Sequence, residues 1–329
     1  MLKGAEALAE IRMADLTKIA GKRLLITGGA GFIGARIARS AQIYGAETHL
    51  FLRSTTNLDR VADIAGALHF HRADPCAKDE LETFLEALRP DVIIHLAASG
   101  SSSGNRDCAA LFRDNVLFTH NLLLAAQRLD GCRFIHTASS LEPGFRTSPI
   151  REDDPPAPVT AYAATKAAST LLVQNEVRAG RRSIAILRPF SVYGPGEPPS
   201  RLIPSAIRAG LSGTCLPLTS PGYVRDFVYV DDVADAYLAA AVTDNIDGML
   251  LNIATGRASS NEAAVRAVGN HLGKEITVQT GAFPPRPTDT MHWVADVSLA
   301  AKTLGWTACH TLDEGIGKTV AWFRDHESA

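Results

Sequence analysis

Tyr162 and Lys166 stand four residues apart in AYAATKAAS, a stretch that reads as helix, so their side chains share one face. Upstream, Ser139 closes the apolar run FIHTASS. A phenol, an ammonium and a hydroxyl gathered at one point suit the transfer of hydride and proton between a carbonyl and an alcohol. Tyrosine, with an ordinary pKa near 10, is a weak base at neutral pH; lowering it by about three units takes roughly 4 kcal/mol in favour of the phenolate. A lysine cation one turn away and an oxidised nicotinamide both carry the right sign for that. In the reductive direction neutral Tyr162 gives up its proton, and Ser139 hydrogen-bonds the oxygen that receives it. Lys166 also reaches toward the nicotinamide ribose.

Such a site needs a dinucleotide held beside it. Gly28, Gly31 and Gly34 recur at three-residue spacing in TGGAGFIG, directly between an apolar strand and a helix that opens at Phe32 and Ile33. Glycine is required where backbone turns sharply and approaches a pyrophosphate with no Cβ between them. The helix then points its free N–H groups at the phosphates. Nineteen residues past Gly34 stands Arg53, followed by Ser54, Thr55 and Thr56. An acid there would hold a ribose 2′-hydroxyl; a guanidinium with neighbouring hydroxyls favours the 2′-phosphate of NADP, with NAD as the alternative. Asp74 can accept from the adenine amino group or can serve an Asp-Pro turn.

The elements that must position these residues alternate. Arg23–Thr27, Thr48–Leu52, Ala67–His71, Val92–Leu96, Arg133–Ala138 and Ser183–Arg188 are short apolar strands. Helices are expected over Phe32–Ala41, Lys78–Leu88, Asp114–Leu129 and Ala161–Arg178. That order predicts a parallel sheet covered on both faces, with right-handed crossovers. After Arg188 the alternation decays into proline-punctuated short elements, expected to form a smaller lobe over the carboxyl edge of the sheet. The domain reading is a helical extension over 1–20, a dinucleotide-binding domain over 21–188 to which 226–254 return, and a substrate lobe from 189–225 and 255–329.

Composition narrows the partners. With 33 basic and 35 acidic residues the net charge is −2, so no global field favours nucleic acid or anionic lipid. Any anion must be held by local groups. The five cysteines show no CxxC and no Cys/His spacing suited to zinc, so no metal is expected and the thiols read as reduced, in a cytoplasmic protein. No apolar run is long enough to span a membrane. His95 and His136, inside apolar strands, read as interior residues.

In combination TGGAGFIG (27–34), HLAA (95–98), FIHTASS (134–140), YAATK (162–166), LRPFSVYGPG (187–196) and RDFVYVDDVADAY (225–237) resemble the extended short-chain dehydrogenase/reductase family. The likeness runs over about residues 21–325. It implies an α/β protein, a Rossmann-type doubly wound parallel sheet with a smaller C-terminal substrate-binding lobe. It also implies an enzyme acting on a nucleoside-diphosphate sugar, and a homodimer built on the helices at 114–129 and 161–178. Residue by residue, Ala97 and Ala98 would line the nicotinamide ribose, and Asn115 would support Lys166 through backbone and water. Pro189 and Tyr193 would flank the nicotinamide. Ser139, Ser140 and Ser191 would meet the sugar, and Arg225 and Arg286 the diphosphate. For the last two the alternatives are an ion pair of Arg225 with Asp226 and a surface loop charge at Arg286.

Four departures from the family pattern bear on the reaction. Arg53 replaces an acid. Ser139-Ser140-Leu141 stands where 4,6-dehydratases carry Thr-Asp-Glu, and Glu142 falls one position too far along to replace the second acid. Ser191 stands where Asn is common, and Pro143 where an aromatic is common. NADP-dependent reduction of a 4-keto sugar fits these best. The alternatives are a redox-neutral epimerase with tightly bound NAD(P), and an NADP-binding regulatory protein without catalysis.

Overall fold

A computed structural model describes residues 14–100, 107–180, 183–284 and 292–326. The first half alternates as its hydrophobic pattern dictates: β1 (Arg23–Thr27), α1 (Phe32–Ile43), β2 (Glu47–Leu52), β3 (Leu68–Arg72), α2 (Lys78–Leu88), β4 (Val92–His95), α3 (Cys108–Phe112), α4 (Phe118–Ala126), β5 (Arg133–Thr137), α5 (Ala161–Arg178) and β6 (Ile184–Pro189). The short elements that follow are β7 (Ser191–Tyr193), α6 (Leu202–Ser212), β8 (Leu216–Pro217), β9 (Val224–Arg225), β10 (Phe227–Tyr229), α7 (Val230–Val242) and β11 (Leu250–Ile253). Then come β12 (Ser259–Ser260), α8 (Asn261–Leu272), β13 (Val278–Gln279), β14 (His292–Trp293), α9 (Ser298–Leu304) and α10 (Leu312–His326).

Seven parallel strands form the central sheet in the order β11-β6-β5-β4-β1-β2-β3. The order reverses beside β1, which opens the crevice where ligands bind in doubly wound folds. Because both faces are covered, β1, β4 and β6 are apolar along most of their length instead of alternating. On one face Ile37 and Ala41 of α1 pack with Val233, Tyr237 and Leu304. On the other, Leu81 and Leu85 of α2 pack with Phe118, Leu122 and Val173. A separate apolar cluster joins α6, α8 and α10 through Ile203, Ile207, Val268, Ile316 and Phe323. No described helix is long and apolar enough to cross a membrane.

Two expectations change. The helix foreseen over 114–129 begins six residues earlier, at Cys108, and Arg113–Leu117 form a π-helical turn between α3 and α4. One extra residue per turn there rotates Asp114 and Asn115 inward, and both are buried. Of the helical extension over 1–20, residues 1–13 lie outside the described residues; the remainder carries a 3₁₀ turn, Leu16–Ile19, with Ile19 fully buried against the core that holds α7.

Candidate active site

The glycine turn after β1 is built to its sequence. Gly28 has φ +71°, and a Cβ on it would lie 2.8 Å from the backbone nitrogen of Ala97. A Cβ on Gly34 would come within 2.3 Å of the Gly28 carbonyl oxygen, which closes the turn onto α1. Gly31 is the N-cap of α1 and supplies no side-chain acceptor, so the first amides of the helix, at Phe32 and Ile33, keep their donors for a ligand. Ala97 N donates to Thr27 Oγ1 at 3.3 Å, which draws the strand ends of β1 and β4 together; Ala98 is exposed one residue beyond.

Beyond the carboxyl ends of β2 and β3 lies a pocket of about 440 Å³ whose walls include Arg53, Ser54, Arg72, Asp74, Arg113 and Asp114. Arg53 does not stand alone there: its Nη1 donates to Asp114 Oδ2 at 3.0 Å, while Arg113 Nε donates to Oδ1 at 2.9 Å. Ser99 Oγ also donates to Asp114. Burial opposes the charge on Asp114, but Ser99, Arg113 and Arg53 outweigh it and hold the carboxyl below its ordinary range. Arg72 Nη1 donates to the carbonyls of Arg53 and Ser54, at 2.9 and 2.7 Å, so it shapes the loop. Asp74 spends Oδ1 on the amide of Cys76 at 2.9 Å, the turn-forming alternative, and still lines the pocket. Glycine cradle, bare helix terminus and cationic pocket in one line fit a dinucleotide.

At the carboxyl end of β5, Ser139 is buried and close enough to Tyr162 to favour its ionised form. Lys166, buried on the same face of α5, donates to Thr137 O at 2.6 Å. The structure therefore brings Ser139, Tyr162 and Lys166 together. Asn115 is buried close by, and its side chain hydrogen-bonds residues other than Lys166. Its Oδ1 accepts from Ser99 N at 2.7 Å, and its Nδ2 donates to Ser99 O at 3.0 Å and Thr165 Oγ1 at 2.9 Å. It thereby fastens the loop after β4 to the residue preceding Lys166.

The electrostatics differ from the simple pairing of Lys166 with Tyr162. Burial pushes the Tyr162 phenol up; Ser139 and Arg201 act downward and Glu142 upward. Burial also pulls Lys166 down to about 8, with Glu142 pulling it back up. Glu142, out of step with the elimination acids in sequence, is 2% exposed beneath the site. Its Oε1 accepts from Ser139 N at 2.7 Å and Thr170 Oγ1 at 3.1 Å, so the carboxylate faces the protein interior. Arg201 and Glu197 join the site without having been expected there. Arg201 acts on both Tyr162 and Glu197, and burial pushes Glu197 up to about 8 while Oε2 stays without a hydrogen-bond partner. Neither residue carries a sequence signal, because a proline-rich loop positions both.

The remaining expected residues separate. Pro189 ends β6, and Ser191 and Ser140 are partly exposed near the same edge. Tyr193 is not beside the cofactor cradle: it is 1% exposed in the lobe core, donating to Leu312 O at 3.2 Å. Arg225 packs its guanidinium over Trp293 at 5.4 Å. Asp226 is instead engaged by the amides of Thr255 and Gly256, each at 2.8 Å. Arg286 lies outside the described residues.

The sequence profile of the NAD dependent epimerase/dehydratase family matches residues 24–254. A dTDP-glucose 4,6-dehydratase of Neisseria gonorrhoeae is 30% identical, over 93% of this chain and 97% of its own. A dTDP-6-deoxy-L-talose 4-dehydrogenase (NAD(P)(+)) of Kitasatospora kifunensis is 31% identical, over 89% and 93%. Among solved structures, the UDP-glucose 4-epimerase of Thermus thermophilus in complex with NAD superposes with a TM-score of 0.81 at 29% identity, covering 92% of this chain and 99% of that one.

Proposed function

This chain belongs to the NAD dependent epimerase/dehydratase family, and from that premise we propose that it reduces the 4-keto group of a nucleoside-diphosphate sugar with NADPH. The observation that carries this reading is the pocket beyond β2 and β3, where Arg53 and Ser54 stand at the end of β2 in place of an acid. A 2′-phosphate gains charge-assisted bonds there that a 2′-hydroxyl does not. The loop after β5 supports the same reading. Ser140 and Leu141 offer no acid to an elimination, and the nearest carboxylate, Glu142, is turned toward Ser139 N and Thr170. A relative whose name gives a 4-dehydrogenase using NAD(P)+ is consistent with it.

NADPH, when bound, supplies the hydride that reaches the carbonyl carbon. Tyr162, held neutral by burial, delivers its proton to the carbonyl oxygen, so that one hydride and one proton convert ketone to alcohol. Ser139 donates to the same oxygen as negative charge develops on it. Lys166, with Nζ fixed on Thr137 O, holds a positive charge beneath Tyr162 and reaches toward the ribose. Arg225, and Arg286 beyond the described residues, are assigned to the diphosphate. We further assign a homodimer to α3, α5 and the π turn, where Phe112, Leu117 and Leu171 are 56, 37 and 46% exposed.

The test is titration of the stripped protein with NADPH and NADH, in parallel with Arg53→Asp. Loss of charge-assisted bonds worth about 1.5–3 kcal/mol should weaken NADPH binding by roughly 10- to 150-fold and leave NADH nearly unaffected. Preference for NADH in the wild type, or cofactor that cannot be stripped, puts the redox-neutral epimerase first.

A further inference from the structure

Glu47 and His49 lie two residues apart on β2, and His69 and His71 two apart on β3, so all four project from one face of the sheet. The parallel register sets His49 beside His69, and β3 is the sheet's edge strand. The His49 and His69 rings stack at 4.5 Å with 18° between their planes. His49 Nε2 lies 2.9 Å from Glu47 Oε1, and its Nδ1 lies 2.9 Å from His71 Nε2. Glu47, His49 and His69 each offer one ligand atom, and these three atoms all fall within 4.8 Å of one another. None of this belongs to the dinucleotide site, which lies at the other end of β2.

We propose that Glu47, His49 and His69 bind a divalent transition-metal ion of the zinc type, with His71 orienting His49 from behind. Two imidazoles and one carboxylate are a donor set for zinc, cobalt or nickel, not for magnesium or calcium. Bonds of about 2.0–2.2 Å require His69, exposed on the edge strand, to swing out of its stack on His49, because two stacked rings cannot aim their in-plane lone pairs at one ion. The ion replaces the His49–Glu47 hydrogen bond. His49 Nε2 then carries no proton, and Nδ1–H donates to His71 Nε2, as the outer partner of a metal-bound histidine does. Glu47 can serve with Oε1 because Arg23 Nε, at 3.2 Å, occupies Oε2. A fourth position remains toward solvent, on the side of exposed His69. The ion would pin the sheet's edge strand to the strand that carries Arg53.

The experiment is calorimetric titration of the tag-free, chelator-treated full chain with zinc chloride. Visible spectra with cobalt(II) and melting curves accompany it. One ion per chain with a Kd of about 10 μM or tighter is expected, with tetrahedral cobalt bands and a Tm raised by about 3 °C or more at saturation. His69→Ala, an exposed position, should keep the metal-free Tm and weaken binding at least ~10-fold; His71→Ala should weaken it by ~10-fold and leave the stoichiometry unchanged. The proposal falls if no ion binds below about 100 μM, or if His69→Ala binds as the wild type does. The ion would then sit elsewhere, the exposed thiols of Cys108, Cys215 and Cys309 being the nearest competitors in chemistry.

Discussion

Replacing Glu142 by Gln should move the alkaline limb of activity to lower pH. The carboxylate is buried among Ser139 of the β5 loop and Thr170 of α5, with Lys166 of α5, Arg188 of β6 and neutral His136 of β5 as the other titratable groups. Gln keeps the shape and keeps an oxygen for the Ser139 amide and the Thr170 hydroxyl; only the charge goes. Burial already pulls Lys166 down to about 8, and Glu142 is the group pulling it up. Two unit charges a few ångströms apart at an effective dielectric near 20 interact by a few kcal/mol, or roughly 2 pH units at 1.36 kcal/mol per unit. Burial pushes the Glu142 carboxyl up and so lowers its mean charge, which reduces this, and a shift of about 1 unit is expected. Lys166 acts as a cation, so its contribution is lost as pH rises through its pKa. In Glu142→Gln that loss comes earlier. The same charge pushes Tyr162 up, so its removal displaces the limb in the same direction. The assay for the proposed reductase is kcat/KM against pH with NADPH and a nucleoside-diphosphate 4-keto sugar, with Tm and NADPH affinity measured alongside. A limb moved from near pH 8 toward 7, with Tm and affinity held, supports a positioning role for Glu142. An unmoved limb would mean that the carboxyl is protonated in the working enzyme, and the reasoning from charge would fail.

Tyr162→Phe should bind NADPH as the wild type does and turn over about 10²–10⁴-fold more slowly; turnover that survives removes Tyr162 as proton donor. Leu171→Glu places a charge on the exposed apolar surface of α5 and should convert a dimer to a monomer by light scattering. A wild-type chain that is already monomeric ends the dimer assignment.

The sheet was legible because a parallel strand buried on both faces is an unbroken apolar run, and such a run marks its own ends. β1, α2 and α5 have the bounds that their residue patterns predict. The π turn was not legible, since one extra residue inside a helix changes neither composition nor the apolar stripe around it. It matters because it rotates Asp114 and Asn115 inward, one to Arg53 and the other to Thr165. Position in the sequence is a poor guide to Glu142 as well. Counting along the loop shows only that it falls out of step with an elimination acid. That its side chain turns inward beneath Lys166 follows from the turn closed by Glu142 N on Ser139 O, at 3.0 Å. The histidine cluster does carry a signal. Glu-x-His and His-x-His repeat with the period of a strand, but only the pairing of β2 with β3 brings them together. On α5, Leu171 is exposed, whereas Ala163 and Ala167 beside it are buried.

Arg53 shows how a single position acquires its meaning from a residue far away in the chain. From the sequence it is a guanidinium where an acid is common; in the structure it is half of an ion pair with Asp114, 61 residues on. An acid at the ribose end of the pocket looks at first like a substitute for the missing one on β2. Its lone pairs argue otherwise. Asp114 already accepts from Arg53, Arg113 and Ser99, and it stays ionised because these outweigh its burial. Little acceptor capacity remains for a 2′-hydroxyl. Arg72, committed to the carbonyls of Arg53 and Ser54, fixes the loop and leaves Arg53 and Arg113 as the guanidiniums with donors to spare. Half of the Arg53 side chain is exposed, and Asp114 uses one of its five N–H groups, so the pair orients the fork without consuming it. Under the proposed NADPH reading, a 2′-phosphate arriving there would meet a cation already positioned, the conformational cost of ordering that arginine having been met before binding.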